Sequence, residues 1–242
     1  MAIAAPTDFL VTVRTGSGDL RLTNRGLSTL NLAAYSITFP SADLRANEWL
    51  PIAGRLDASG DQSVDADDDW LILSPQPLPT LVNNLSEGEF NGDGGFLQPG
   101  DSIYLGGVWN PSTSSSSLNF EVVEVQGGNS VASFLDITFL PAGDNNEDGV
   151  VDAADFTLWR ESIGQTGAGL LADGDGNGVI DVGDYIVWKA YYGLTSFVIP
   201  APGAAALSIS AVVPEPSAVV ILLGLGTLIG CALCLGRSKC SR

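Results

Sequence analysis

The first 140 residues alternate between apolar and polar positions in short runs. Three of these runs are FLVTVRT from Phe9, NLAAYSITF from Asn31 and NFEVVEV from Asn119, and others begin at Asp19, Trp70, Ser102 and Ser133. A period of two is typical of strands that bury one face and expose the other. Turn sequences such as Pro99-Gly100-Asp101 separate the runs. About eight strands over residues 8–140 predict a mainly β protein with an antiparallel sandwich of the jelly-roll or immunoglobulin-like type.

A helical spacing of apolar residues replaces this alternation after residue 150. The spacing i, i+3, i+7 occurs twice, at Phe156, Trp159 and Ile163 and at Tyr185, Trp188 and Tyr192. Residues with this spacing lie on one face of a helix. We therefore expect two short helices whose aromatic faces form a small shared core.

The last pattern is an uncharged apolar run from Ala218 to Gly236. As a helix it would extend about 28 Å, close to the hydrocarbon thickness of a bilayer. Basic residues follow it directly, at Arg237, Lys239 and Arg242. This predicts one transmembrane helix over residues 218–236, with a cytoplasmic C-terminus and the preceding chain outside.

Composition excludes several classes of function. The formal net charge is −18, which repels phosphate backbones and attracts divalent cations, so we expect no nucleic-acid partner. The chain has no histidine, which removes the usual general base and every histidine-dependent zinc site. Its three cysteines, Cys231, Cys234 and Cys240, all lie in the last dozen residues, so the chain before them has no thiol nucleophile or disulfide. We expect no catalytic residues and no enzymatic activity.

The strongest chemical signal is a duplicated acidic segment. DNNEDGVVDAADFTLWRESIG begins at Asp144, and DGDGNGVIDVGDYIVWKAYYG begins 29 residues later, at Asp173. Each copy matches a twelve-position calcium loop, which wraps one ion with alternating oxygen ligands and needs glycine at position 6. The predicted ligands of loop one (144–155) are Asp144, Asn146, Asp148, the Val150 carbonyl, Asp152 and Asp155. Those of loop two (173–184) are Asp173, Asp175, Asn177, the Val179 carbonyl, Asp181 and Asp184.

Two Ca²⁺ sites are therefore the expected cofactor content. Each loop concentrates four carboxylates in ligand positions, so metal binding should contribute to folding. Val151 and Ile180, at position 8, are expected to pack inward and pair the loops. A helix cannot precede loop one, because Pro141 and Gly143 interrupt it. Each unit is thus a loop followed by one helix.

A duplicated loop–helix unit with aspartate at position 12 resembles a type I dockerin, over residues 143–194 (the calcium-loop module). The resemblance implies calcium binding and docking onto a cohesin-like module. Positions 10 and 11 are often Ser-Thr in cohesin-binding dockerins. In this chain they are Ala153-Ala154 and Val182-Gly183, so calcium binding carries over and cohesin recognition does not.

The C-terminal region resembles a PEP-CTERM sorting signal, also known as an ice-binding-protein C-terminal domain. The matching residues are Val213, Pro214, Glu215 and Pro216, followed by the apolar run and the basic end. The resemblance covers residues 213–242, after a Pro/Ala-rich linker at 195–212. It implies an exosortase partner, export, a link to extracellular polysaccharide, and a helix held in the inner membrane before sorting.

The first six residues, MAIAAP, lack a basic and an apolar signal region. We expect a misassigned start or a fragment, with export by the C-terminal helix alone as the alternative.

The sandwich region is loosely similar to β domains found beside dockerin and PEP-CTERM modules in Planctomycetes-like bacteria. Three tryptophans in it, Trp49, Trp70 and Trp109, are expected in the core, with sugar stacking as the alternative. An acidic cluster at Asp65, Asp67, Asp68 and Asp69 predicts a solvated loop or a third cation site. The expected function is a non-catalytic, calcium-binding surface protein, structural or adhesive in the envelope or exopolysaccharide matrix. The alternative is a carbohydrate-binding or cohesin-docking component of polysaccharide breakdown.

Overall fold

A computed structural model describes residues 8–58, 63–89, 92–113 and 117–202. The protein is mainly β over these residues, with thirteen strands and two α-helices. The sorting motif at Val213–Pro216 and the apolar run 218–236 lie outside the described residues. Within them, no helix has both the length and the apolar character needed to cross a membrane.

The first sheet has five strands and contains one parallel pair. Its order is β13 (Phe197–Ile199), β12 (Ile137–Leu140), β1 (Phe9–Arg14), β2 (Leu20–Asn24) and β9 (Ser102–Tyr104). Strands β1 and β12 run parallel, with Val11 opposite Ile137 and Arg14 opposite Leu140. The sheets are otherwise antiparallel, as predicted, and this pair is an exception that the sequence did not indicate. Parallel pairing is possible because more than a hundred residues separate the two strands, well above the minimum crossover length.

The second sheet has six strands. Its path is β11 (Asn129–Leu135), β10 (Asn119–Gln126), β3 (Leu30–Thr38), β7 (Asn84–Glu89) and β5 (Trp70–Ile72). Strand β8 (Gly95–Leu97) also pairs with β3, next to β7. A separate pair joins β4 (Leu44–Arg45) to β6 (Leu81–Val82), and a short 3₁₀ helix spans Ala46–Glu48.

Strand β7 lies inside the second sheet although its sequence, NLSEGE, is polar. Glu87 is fully buried, and its carboxylate accepts main-chain hydrogen bonds from Ile52 at 2.6 Å and Ala53 at 2.9 Å. Burial raises the pKa of Glu87. The hydroxyl of Ser86 donates to that of Ser36, at 3.0 Å, on the neighbouring strand. These hydrogen bonds offset the cost of burying polar groups. Because the strand is polar, its sequence lacks the apolar alternation that would have predicted it.

Buried side chains from both sheets form one hydrophobic core, the arrangement of a β-sandwich. Leu20 and Phe139 come from the first sheet, and Ile37 and Phe120 from the second, and all four are fully buried. The run predicted from Ser133 is two strands, because the chain passes from β11 in the second sheet to β12 in the first at Asp136. The described part of the region between 8 and 140 thus holds twelve strands rather than about eight.

The calcium-loop module follows β12 directly. Its helices are α1 (Ala153–Ser162) and α2 (Val182–Tyr191), each preceded by one acidic loop, as predicted. Residues 197–199 lie within the predicted linker of 195–212, but they form β13 and pair with β12. Along the chain, the module therefore lies between β12 and β13, which are neighbouring strands of the first sheet. The sandwich and the module belong to the same compact unit of the fold.

Substitution of Phe139 tests whether the hydrophobic core extends to the place where the sandwich meets the module. Its ring is fully buried, 5.2 Å from Trp109 and 5.0 Å from Phe197 between centroids. Phe139→Ala is expected to lower the free energy of unfolding by about 3–5 kcal/mol through lost burial and a cavity. The control is Phe134→Ala, at a ring that is 45% exposed, which should cost no more than about 0.5–1 kcal/mol. Urea denaturation of both variants measures the difference, and equal losses would contradict this core.

Candidate metal centre

The main chain of both loops turns where the calcium-loop pattern requires it. Gly149 and Gly178, at position 6, have φ of +93° and +80°. Position 4 is also left-handed, with Gly176 in loop two and Glu147 at φ +59° in loop one. A non-glycine residue is disfavoured there. Glu147 does form an ion pair, with its carboxylate 3.5 Å from the guanidinium of Arg21.

The first aspartate of each loop holds the turn closed. One carboxylate oxygen of Asp144 accepts from the Gly149 amide at 3.0 Å. Asp173 accepts from the Gly176 and Gly178 amides at 2.9 and 2.8 Å. Asp144 is fully buried and Asp173 is 6% exposed, so both carboxylates point into the loop rather than toward solvent.

The last two acidic positions of each loop also begin its helix. Asp152 caps α1, and Asp155 completes a capping box by accepting from the Asp152 amide at 2.7 Å. Asp181 and Asp184 repeat this arrangement at α2, with the same distance of 2.7 Å. The partial positive charge at a helix N-terminus favours these carboxylates. In each copy, one pair of aspartates thus both caps the helix and closes the loop.

Loop one contains a buried carboxylate oxygen without a partner. Oδ1 of Asp144 is inaccessible to solvent and accepts no hydrogen bond from the described residues. Burial, together with the carboxylates of Asp155 and Asp148, raises the pKa of Asp144 to about 6. An unsatisfied buried carboxylate is costly, and a coordinated cation would remove that cost. The chemistry of the donor set fits a hard cation that takes oxygen ligands.

Loop two brings three carboxylates together. Oxygen atoms of Asp173, Asp175 and Asp184 all lie within 4.8 Å of one another. Burial raises the pKa of Asp173, and the carboxylate of Asp184 adds to that shift. Loop one has Asn146 in place of the second of these residues, so it concentrates less charge at position 3. The structure thus groups positions 1, 3 and 12 as the loop pattern predicts.

The remaining predicted ligands are exposed at the rim of each loop. The side chains of Asp148 and Asn177, at position 5, accept from the amides of Val150 and Val179, which supply position 7. These bonds, at 2.9 and 2.8 Å, hold the main chain at position 7 against the side chain at position 5.

Position 8 is buried in both copies, but the main-chain pairing differs from the prediction. Val151 is 0% and Ile180 1% exposed. Instead of bonding to each other, the loops pair with the segment that follows the other copy's helix. Val151 and Leu194 are joined by a main-chain bond of 2.9 Å, and Ile180 and Gln165 by another of 2.9 Å.

The two tryptophans tie the copies together reciprocally. Trp159, on α1, donates its indole N–H to the Asp181 carbonyl of loop two at 2.7 Å. Trp188, on α2, donates to the Asp152 carbonyl of loop one at 2.8 Å. Their rings pack with those of Phe156 and Tyr185, which confirms the shared aromatic core. Other members of the two stripes are exposed: Ile163 by 54% and Tyr192 by 57%.

Sequence reasoning missed the arginines that join the sandwich to the loops. Arg14 ends β1, is 5% exposed, and donates to the main-chain carbonyls of Asp144 and Leu171. Arg21 donates to the carbonyl of Gly169. Burial lowers the pKa of Arg14, and the carboxylates of Glu147 and Asp19 oppose that shift. The partners lie far apart in the sequence, so local pattern carried no signal for them.

The other candidate features have different outcomes. Trp49, Trp70 and Trp109 are 6%, 3% and 5% exposed, so they are core residues, as expected, and offer no stacking surface for a sugar. Carboxylate oxygens of Asp67 and Asp68 lie within 4.8 Å of Asp93, a residue that the sequence cluster did not include. Within that cluster, Asp65 is instead buried and accepts from the Trp70 indole at 3.2 Å, whereas Asp69 is exposed.

Asp144 gives the first test of this geometry, in calcium-free buffer. Because its pKa is raised from 3.8 to about 6, the folded chain binds this proton more tightly than the unfolded chain. The contribution of Asp144 to stability is therefore greatest below about pH 4 and is lost as the pH rises to 6. Asp144→Asn cannot titrate. Its stability relative to the wild type should rise between pH 4 and 6 and then stay constant to pH 8.

Denaturation of both proteins at several pH values, in chelator, measures this difference. A constant difference from pH 4 to 8 would show that Asp144 is not buried as described.

Comparison with known proteins gives no match. The sequence matches no protein-family model and no curated protein, and the fold matches no solved structure. The proposed chemistry of the centre therefore depends on its geometry alone.

Proposed function

We propose that the two loops bind Ca²⁺ and that the chain is a non-catalytic surface protein, structural or adhesive in the cell envelope or exopolysaccharide matrix. The observation that carries the calcium proposal is the buried, unpartnered Oδ1 of Asp144 inside a loop with glycine turns at the required position. A divalent cation bound there would satisfy this oxygen and reduce the repulsion among the neighbouring carboxylates. Loop two, 29 residues later, has the same glycine turn and capping box and brings three carboxylates together, which supports a second site.

The larger of two grooves among the described residues supports a non-catalytic role. One groove, of about 720 Å³, runs between the sandwich and Gly169 and is lined by a single carboxylate, that of Asp101. A glycosidase needs two carboxylates on opposite sides of the bond it cleaves. A smaller groove, of about 250 Å³, is lined by three carboxylates, those of Asp19, Glu48 and Asp173. Asp19 accepts a hydrogen bond from Tyr104 at 2.8 Å, and Asp173 accepts from the Gly176 and Gly178 amides of its own loop.

Location at the cell surface rests on the sequence of the C-terminal region. The Val213–Pro216 motif, the apolar run and the basic end together favour export and handling by an exosortase-type enzyme. Replacing Pro214 and Pro216 by alanine should leave the chain in the inner membrane, as measured by cell fractionation. Unchanged surface exposure of that variant would contradict sorting through this motif.

A double substitution tests calcium binding in the full-length chain. Asp144→Ala with Asp173→Ala removes the first ligand of each loop, and outer carboxylates alone should not hold the ion. We expect the wild type to bind two Ca²⁺ by isothermal titration and to melt at a higher temperature in calcium than in chelator. The variant should lose both effects.

The matched control is Asp43→Ala, a carboxylate far from the loops in the sequence. It should bind as the wild type does. Equal binding heats in the double variant and the wild type would exclude these loops as the calcium sites.

A second candidate function is docking onto a cohesin-like module. It is favoured by exposed apolar side chains on α2, because Val182 is 66% and Ile186 61% exposed, one turn apart. Val182 occupies position 10 of loop two, where dockerin-like proteins carry recognition residues. Surface plasmon resonance against purified cohesin modules tests it. Binding that is lost in Val182→Asp would favour docking, and no binding in calcium would exclude it for those modules.

A further inference from the structure

Arg14 occupies the point where the sandwich meets both calcium loops. It is the last residue of β1 and lies opposite Leu140, the last residue of the parallel strand β12. The carboxyl ends of these two strands therefore face the module together. The chain leaves β12 at Leu140 and reaches Asp144 after three residues. At 5% exposure, the guanidinium is buried in this junction.

One partner of Arg14 belongs to loop one, and the other lies just before loop two. One terminal nitrogen donates to the carbonyl of Asp144, which is position 1 of loop one. The other donates to the carbonyl of Leu171, two residues before position 1 of loop two. The planar guanidinium keeps a fixed angle and distance between its donors. A single side chain of the sandwich thus sets the separation of the two loop entrances.

Close packing leaves the entrances little freedom to move. A Cβ added to Gly16 would lie 2.6 Å from the Gly174 carbonyl of loop two and 2.8 Å from Cβ of Ala142, just before loop one. The amide of Ala142 also donates to the hydroxyl of Thr15 at 3.1 Å. The turn that follows Arg14 therefore touches both loops, and movement of either entrance would disturb the other.

The net negative charge of the two loops attracts the guanidinium of Arg14 whether or not ions are bound. Residues 144–155 contain five carboxylates, and residues 173–184 contain four. One Ca²⁺ in each loop leaves a net charge of about −3 and −2, so a nearby guanidinium is still attracted. Bound calcium therefore does not expel Arg14, and its hydrogen bonds can persist in the loaded protein.

We infer that Arg14 is a positioning residue for both calcium sites and that it couples calcium occupancy to the stability of the sandwich. This inference rests on the proposed calcium binding. Arg14 contacts no ion itself. It holds the main chain of one ligand, Asp144, and the approach to another, Asp173, as outer-sphere groups do in other metal centres. Because coupling is reciprocal, calcium must in turn stabilise strands β1 and β12.

The test uses the full-length chain and four substitutions, of which Arg14→Lys is the conservative one. Arg14→Gln removes both hydrogen bonds at the carbonyls, and Arg25→Gln makes the same change at an exposed arginine. Val11→Ala removes part of a fully buried side chain of the same strand, and so destabilises the sandwich without touching the loops. Calcium dissociation constants are measured by isothermal titration, at a temperature where circular dichroism shows each variant to be folded.

We expect Arg14→Gln to weaken both calcium sites by about 10- to 100-fold. Arg25→Gln and Val11→Ala should stay within about twofold of the wild type, although Val11→Ala melts at a lower temperature. Arg14→Lys keeps the charge but cannot span both carbonyls, so it should also weaken both sites. Wild-type affinity in Arg14→Gln would overturn the positioning role, as would an equal loss in Val11→Ala.

Absence of calcium binding in the wild type would instead overturn the proposed function. If Arg14→Gln does not fold, hydrogen exchange of the wild type decides. Calcium should slow amide exchange in residues 9–14 and 137–140 as well as in the loops. Protection confined to the loops would overturn the coupling.

Discussion

Burial of the Asp144 carboxylate constrains this structure, because its Oδ1 accepts no hydrogen bond from the described residues. Asp144 is fully buried where the sandwich meets loop one, and only one of its two oxygens accepts a hydrogen bond. The capping boxes stabilise Asp155 and Asp184, but no such group reaches Oδ1 of Asp144 among the described residues. The proposed ion would coordinate this oxygen, and its binding energy would then stabilise the structure that buries the carboxylate.

The calcium-loop module is built into the sandwich rather than appended to it. Loop one begins directly after β12, and the chain returns through residues 193–196, which bond to Gly149 and Val151, into strand β13 on the same edge. A single extended segment thus contacts both the loop and the sheet. Order at the proposed metal site and order at the sheet edge therefore depend on each other, and this favours a structural role for the proposed calcium.

The two copies of the loop differ at residues that contact the sandwich. Loop one is covered by the sandwich and has Glu147 at the left-handed position 4, where it pairs with Arg21. Loop two has Gly176 there, and its position is packed against Ser17 of the sandwich turn. The reciprocal bonds of Trp159 and Trp188 are the same in both copies. The internal symmetry thus persists in the module's own core and is lost where the module faces the sandwich.

The sequence by itself determined the local features: the strands with a clear period of two, the two loop–helix units, their glycine turns and the burial of Val151 and Ile180. These depend on residues close together in the chain, where spacing fixes geometry. Only the tertiary structure decided the parallel pairing of β1 with β12, the polar interior strand β7, the return strand β13 and the role of Arg14. Each of these joins segments from distant parts of the chain, and each buries polar groups whose partners no local pattern reveals.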